Sequence, residues 1–197
     1  YNDNKVLKLF QDVKSISPGG FTYAQTTIKT GQPFPLLSTT AYLRDSASGL
    51  VLINPASGYP LPNSVLKDQG RTIPKHILGW GSRLRWKDLT FAANFEYRGG
   101  NVMFSQLGRD MTFTGSGKWT ENRDPQRVPN SGYVDANGKV VENTTINVRE
   151  SEYAWWVSNY RLFAENFVND AWFIKLRDIG LTYTLPSRAV AKTKVFT

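Results

Sequence analysis

Hydrophobic and polar residues alternate most regularly between Ile77 and Arg98, in the run ILGWGSRLRW-KD-LTFAANFEYR. Side chains on a strand point alternately to two faces, so the pattern predicts two strands joined by a turn at Lys87 and Asp88. Each arm has ten residues, about what a tilted strand needs to cross a bilayer. The hairpin therefore predicts two strands of a membrane barrel. Its apolar face comprises Leu78, Trp80, Leu84, Trp86, Leu89, Phe91, Ala93, Phe95 and Tyr97.

The opposite face of this hairpin is polar and charged. A charge that faces lipid near the bilayer midplane costs about 2–4 kcal/mol. The polar face is therefore expected to point into the barrel, toward its lumen. The candidate lumen-facing residues are Arg83, Arg85, Asn94, Glu96 and Arg98.

A third strand is predicted over Ala171–Leu185, where Pro186 ends the pattern. The apolar positions change parity within it, from the set Trp172, Ile174 and Leu176 to the set Ile179, Leu181, Tyr183 and Leu185. A slip of one residue moves every later side chain to the other face. We therefore predict a β-bulge near Arg177 and Asp178, because one extra residue there returns both sets to a single face.

The remaining sequence predicts shorter strands and polar connections. Strand-like patterns occur at Phe21–Lys29, Leu36–Arg44 and Leu50–Ile53, separated by segments rich in Pro and Gly. Turn residues dominate between positions 99 and 171, and a stretch of that length without regular structure is usually functional. We expect a long loop region there.

Inside this loop region, a short helix is predicted from Ser151, as its N-cap, to Tyr160. Aromatic side chains on such a helix stack on sugar rings or anchor partner proteins when they are exposed. When they are buried, they pack onto the rest of the loop, and both alternatives stay open. The candidate ligand-contact or partner-contact residues are Tyr153, Trp155, Trp156 and Tyr160.

Composition excludes several classes of protein. The sequence has no run of about 18 apolar residues, which excludes a transmembrane helix. The net charge is +8, but the basic residues are scattered singly along strand-like segments, so we do not expect nucleic-acid binding. With no cysteine and His76 as the single histidine, we expect no catalytic residue, no metal site and no cofactor.

Several motifs, taken in order, resemble the barrel of SusC/RagA-type TonB-dependent outer-membrane transporters. They are YLRDSASGLVLINPASGYP, GRTIPKHILGWGSRLRWKDLTFAANFEYRGG, VPNSGYVDANGKVVEN and DAWFIKLRDIGLTYTLP. Each motif alone is weakly specific, but their order and spacing together are specific. Trp172 stands where the family usually has a small residue.

The resemblance implies an all-β fold that is part of a transmembrane antiparallel barrel with 22 strands. It implies that residues 1–197 are a C-terminal portion of that barrel, without its plug domain and final strands. For the lumen-facing residues of the hairpin, it implies a plug-facing role in preference to direct contact with a substrate. The two-residue turn at Lys87 and Asp88 is then periplasmic, because periplasmic turns are short, and residues 99–171 form a long extracellular loop region.

The function that the resemblance implies is TonB-dependent import of a glycan or an oligopeptide across the bacterial outer membrane. The expected partners are a SusD-like surface lipoprotein, outer-membrane lipid and, through the missing N-terminal part, the TonB complex. Two alternatives remain open. One is a soluble carbohydrate-binding β-sandwich, and the other is a barrel subunit of a secretion or surface-assembly complex.

Overall fold

The computed structural model describes residues 1–121, 126–148 and 154–192. The fold is mostly β-strand, at 42% of the chain, with few helices. The expected predominance of strands is confirmed. The strands are β1 (Ser15–Phe21), β2 (Ala24–Lys29), β3 (Leu36–Thr39), β4 (Val51–Leu52), β5 (Lys67–Arg71), β6 (His76–Trp86), β7 (Leu89–Gly99), β8 (Val102–Phe104), β9 (Ser131–Val134), β10 (Val140–Glu142), β11 (Val168–Asp170) and β12 (Phe173–Tyr183).

The chain forms two compact units. The first unit consists of Tyr1–Asp3, Pro74–Asn101 and Ala171–Thr197, and the second consists of Asn4–Ile73 and Val102–Asp170. The region predicted as a long loop therefore belongs largely to the second unit, where it contributes strands and helical turns of its own.

The first unit is built on an antiparallel sheet in the order β12-β7-β6. Trp86 pairs with Leu89, so Lys87 and Asp88 form a two-residue turn, and Lys87 takes a positive φ of 52°. Such turns match the twist of the flanking strands. The predicted hairpin and its turn are confirmed.

The predicted bulge in the last strand is also confirmed. The pairing of β12 with β7 shifts register between Leu176 and Asp178. Before the shift Leu176 pairs with Phe95, and after it Ile179 pairs with Ala93. The extra residue is Arg177, which absorbs the change of parity read in the sequence.

The second unit contains several small sheets. β1, β2, β3 and β5 form an antiparallel sheet in that order, β10-β9-β4 form another with β4 parallel to β9, and β11 pairs with β8. Apolar side chains that come mostly from connecting segments form its core. They are Tyr42, Val51, Ile53, Val128, Val148, Trp155, Trp156 and Phe163.

The described residues form two helices, α1 (Gln106–Thr114) and α2 (Ser187–Lys192). They also form short helical turns at Phe10–Asp12, Lys118–Thr120, Trp155–Asn159, Tyr160–Leu162 and Ala164–Phe167. The Ser105 side chain caps α1 by accepting a hydrogen bond from the Gly108 amide, and Gly115 ends the helix at φ 70°. Among the described residues, none of the helices has the length and apolar content required to span a membrane.

One carboxylate joins distant parts of the second unit. The Glu165 side chain is 8% exposed and contacts both Arg44 Nη2, at 3.1 Å, and Lys67 Nζ, at 2.8 Å. It also accepts a hydrogen bond of 2.9 Å from the Tyr42 amide. A buried carboxylate is stable only when its lone pairs are satisfied. These three donors therefore hold the segment around Glu165 against β5 and against the residues that follow β3.

We expect Glu165→Ala to lower the free energy of unfolding of the second unit by about 1–3 kcal/mol, because the Tyr42 amide and two cations lose their acceptor. Glu165→Gln keeps one acceptor oxygen and should lose less. The measurement is urea unfolding, monitored through hydrogen exchange at the β3 amides. Exposed Glu142→Gln is the control, and equal stability of Glu165→Ala and wild type would contradict the assignment.

Candidate functional site

The sheet β12-β7-β6 has one continuous apolar face. Cross-strand partners share this face, because paired residues on adjacent strands point the same way. The rows run Leu78–Tyr97–Ile174, Trp80–Phe95–Leu176, Ser82–Ala93–Ile179, Leu84–Phe91–Leu181 and Trp86–Leu89–Tyr183. Ser82 is therefore the polar position among three strands of apolar side chains.

Most of this apolar face is exposed. The side chain of Trp80 stacks on Phe95 with ring centroids 5.2 Å apart, yet Trp80 remains 66% exposed and Ile179 63% exposed. Ala93, on the central strand, is buried by its neighbours. Soluble monomers rarely expose contiguous apolar patches larger than a few hundred Å², so a surface of this kind indicates contact with lipid or with another apolar surface.

The other face of the sheet carries the predicted polar residues. Arg83 and Arg85 lie on β6 and Asn94, Glu96 and Arg98 lie on β7, at positions that alternate with the apolar set. The structure therefore brings all five sequence-predicted residues to one face. No cation or acid among them lies on the apolar rows.

A network of polar contacts connects β7 to β12 across this charged face. The Glu96 carboxylate forms ion pairs with both Arg98 and Arg177. The Asn94 side-chain amide donates to the carboxylate of Asp178 at 3.0 Å. Hydrogen bonds to ionised groups are the stronger class of side-chain contact, so these contacts support the register of the two strands.

The bulge explains why two consecutive residues of β12 reach the same face. Arg177 contacts Glu96 and Asp178 contacts Asn94, although adjacent strand residues normally point to opposite sides. Sequence reasoning placed the bulge at these residues but did not name them as members of the charged face. The parity change itself was the signal that could have identified them.

The aromatic candidates occupy a different place, in the second unit. Trp155 and Trp156 are buried in its core, with ring centroids 6.3 Å apart. Tyr160 packs edge-on against Trp156 at 5.1 Å. The two tryptophans therefore pack inside the unit, as expected for the alternative in which the aromatic residues are buried. Tyr153 lies outside the described residues.

Tyr160 is the aromatic candidate that lines open space on two sides. A cavity of about 410 Å³ is bordered by Tyr160, Trp119 and Asn166, and another of about 300 Å³ by Tyr160, Tyr42 and Trp155. Burial raises the pKa of Tyr160, so its hydroxyl stays neutral and can donate a hydrogen bond. Among the described aromatic candidates, Tyr160 borders both cavities and Trp155 borders the smaller one.

Within the described ranges, no three His, Asp or Glu side chains lie close enough together to hold a metal ion.

Comparisons with protein-family models and with curated proteins found no match for the sequence. The two faces of the sheet β12-β7-β6 are therefore the candidate functional surfaces.

We expect Trp156→Ala to destabilise the second unit by about 3–5 kcal/mol, because a buried tryptophan leaves a large cavity when it is truncated. Trp119→Ala is the matched control and should cost less, since that side chain is 43% exposed. Urea unfolding of the two variants provides the measurement. Comparable stabilities for Trp156→Ala and the wild type would argue against a core role.

Proposed function

We propose that β6, β7 and β12 form part of the wall of an outer-membrane β-barrel of the SusC/RagA type, with their apolar face toward lipid. The observation that carries the proposal is the exposed apolar face, set opposite a face that holds the charges. A barrel wall in a bilayer has this arrangement, since its outer side meets hydrocarbon and its inner side meets water or a plug.

The dimensions of the strands agree with this role. Each of the three strands has 11 residues, and a tilted strand needs about 9–11 to cross a bilayer. Aromatic residues occur toward both ends of the apolar face. Trp86 and Tyr183 lie near the two-residue turn, and Tyr97 and Trp172 lie near the opposite end. Aromatic girdles at the two membrane interfaces have this distribution.

The charged face supports an inward-facing role. It presents Arg83, Arg85 and the Arg98–Glu96–Arg177 cluster, and bases outnumber acids on it. In the proposed barrel these side chains face a plug domain or the lumen. Turning this face toward hydrocarbon would cost about 2–4 kcal/mol for each basic residue near the midplane.

A carbohydrate-binding β-sandwich receives less support. In a sandwich the apolar face of one sheet packs on a second sheet about 10 Å away. Among the described residues of the first unit, no second sheet covers the apolar face of β12-β7-β6, and its large side chains remain exposed.

Chain connectivity supports an orientation. The chain enters or leaves the sheet before His76, after Gly99 and before Phe173, all at the end opposite to the turn at Lys87 and Asp88. If the short turn is periplasmic, as short barrel turns are, the long region of residues 99–171 is extracellular. There they serve as the rim that meets a SusD-like lipoprotein and helps to enclose a glycan or an oligopeptide.

The complete proposal is TonB-dependent import across the bacterial outer membrane, without a catalytic step in this chain. The resemblance of the sequence motifs to SusC/RagA transporters supports the import role, the lipoprotein partner and coupling to TonB through an N-terminal part. The faces of the sheet support the membrane location.

The lipid-facing assignment can be tested with adjacent residues on opposite faces of β12. We expect Ile179→Arg to make the free energy of folding and membrane insertion less favourable by about 2–4 kcal/mol, which is the cost of an arginine facing the bilayer midplane. Gly180→Arg is the matched control. It points to the charged face, and a Cβ at Gly180 meets nothing within 4 Å. The measurement is the folding equilibrium in lipid vesicles.

The two faces make the test discriminating. In a soluble protein, Ile179→Arg replaces an exposed apolar side chain and would leave folding unchanged. Equal insertion of the Ile179→Arg and Gly180→Arg variants, or folding of the purified wild-type chain as a soluble monomer without detergent, would contradict the barrel proposal.

The import role can be separated from a secretion role by affinity purification from detergent-solubilised outer membranes. We expect a SusD-like lipoprotein to be recovered with the protein, because the motifs resemble transporters that work with one. A barrel that fails to insert, such as the Ile179→Arg variant, should not recover it. Recovery of secretion components in place of the lipoprotein would overturn the import proposal and favour the secretion alternative.

A further inference from the structure

Two arginines in the second unit lie together, and among the described residues neither has an acidic partner in an ion pair. Arg109, on α1, is 7% exposed, and Arg161 belongs to the helical turn Tyr160–Leu162. The Nε atoms of both side chains are buried and have no hydrogen-bond partner. In the part of the chain that the structure describes, neither guanidinium forms an ion pair. This is unusual, because buried charges in proteins are normally paired.

Aromatic rings hold both guanidinium groups in place. Arg109 Cζ lies 3.6 Å from the ring centroid of Tyr23, and Arg161 Cζ lies 4.4 Å from that of Phe113. Arg109 and Phe113 are four residues apart on α1 and so share a face of the helix. Arg161, stacked on Phe113, is thereby brought beside Arg109.

The neighbouring acidic residue forms no ion pair with either arginine. Asp110 follows Arg109 in α1, and its carboxylate accepts a hydrogen bond from Gln106 Nε2 at 2.8 Å. Burial, followed by the nearby charge of Arg161, lowers the pKa of Arg109, although Tyr23 and Asp110 act in the opposite direction. The two cations therefore repel each other in a partly desolvated place, where an anion would stabilise both.

We infer that Arg109 and Arg161 form a binding site for a doubly charged oxyanion, a phosphate or sulfate group. Planar guanidinium groups recognise such oxygens through paired hydrogen bonds, and the rings of Tyr23 and Phe113 hold both groups in place. Two cations without an acid match the charge of a dianion. The inference does not depend on the membrane proposal, since all four residues belong to the second unit.

The test is calorimetric titration of the full-length protein with sodium phosphate and with sodium sulfate, at constant ionic strength. We expect saturable binding that Arg161→Gln weakens about tenfold or more, since a hydrogen bond to a charged group is worth at least that factor. Arg109→Gln should have the same effect. If that buried substitution prevents folding, Arg161→Gln, at a half-buried position, carries the test alone.

Control variants separate a site from general attraction. Arg127→Gln removes an exposed cation of the same unit and should leave binding unchanged. Absence of saturable binding, equal weakening by Arg127→Gln, or acetate binding as tightly as phosphate would each overturn the dianion site.

A second titration, with glucose 6-phosphate, distinguishes a phosphate ester from the free ion. Glucose 6-phosphate binding comparable to that of inorganic phosphate would support a site for an ester carried by a larger molecule. Binding of inorganic phosphate alone would support a site for the free ion. Both results, when abolished by Arg161→Gln, support the arginine pair as the oxyanion site.

Discussion

The requirement that every side chain of a strand belong to one of two faces is the constraint on which the sheet β12-β7-β6 depends. Apart from Ser82, its three strands keep apolar residues on one face, and the charges stay on the other. Without an extra residue, β12 could satisfy this requirement over half of its length only. Arg177 supplies that residue, and its side chain joins the charged face through Glu96. One bulge therefore maintains the apolar surface and strengthens the polar contacts.

The sequence allowed these features to be predicted because they are local. Alternation with a period of two identifies the strands, the short polar interruption identifies the turn at Lys87 and Asp88, and the change of parity identifies the bulge. Each of these signals is contained within about 20 neighbouring residues. The same information placed Arg83, Arg85, Asn94, Glu96 and Arg98 together on one face.

The second unit could not be predicted in the same way, because its structure depends on contacts between distant segments. β4 pairs in parallel with β9, across more than a third of the chain. Glu165 contacts Lys67 and Arg44, and no periodic pattern links residues so far apart. The burial of Trp155 and Trp156 has the same origin. Most of the apolar side chains that cover them, such as Tyr42, Ile53 and Val128, come from distant segments.

In both units, one acidic residue pairs with two basic residues. Glu96 forms ion pairs with Arg98 and Arg177, and Glu165 forms ion pairs with Arg44 and Lys67. Four basic residues are thus held in clusters where one carboxylate orders two cations. Arg109 and Arg161 depart from this rule, because aromatic rings hold them and no carboxylate joins them in the described structure. A pair of cations that the fold positions so closely, yet leaves without an acid, has the electrostatic character of a site whose anion comes from outside the chain.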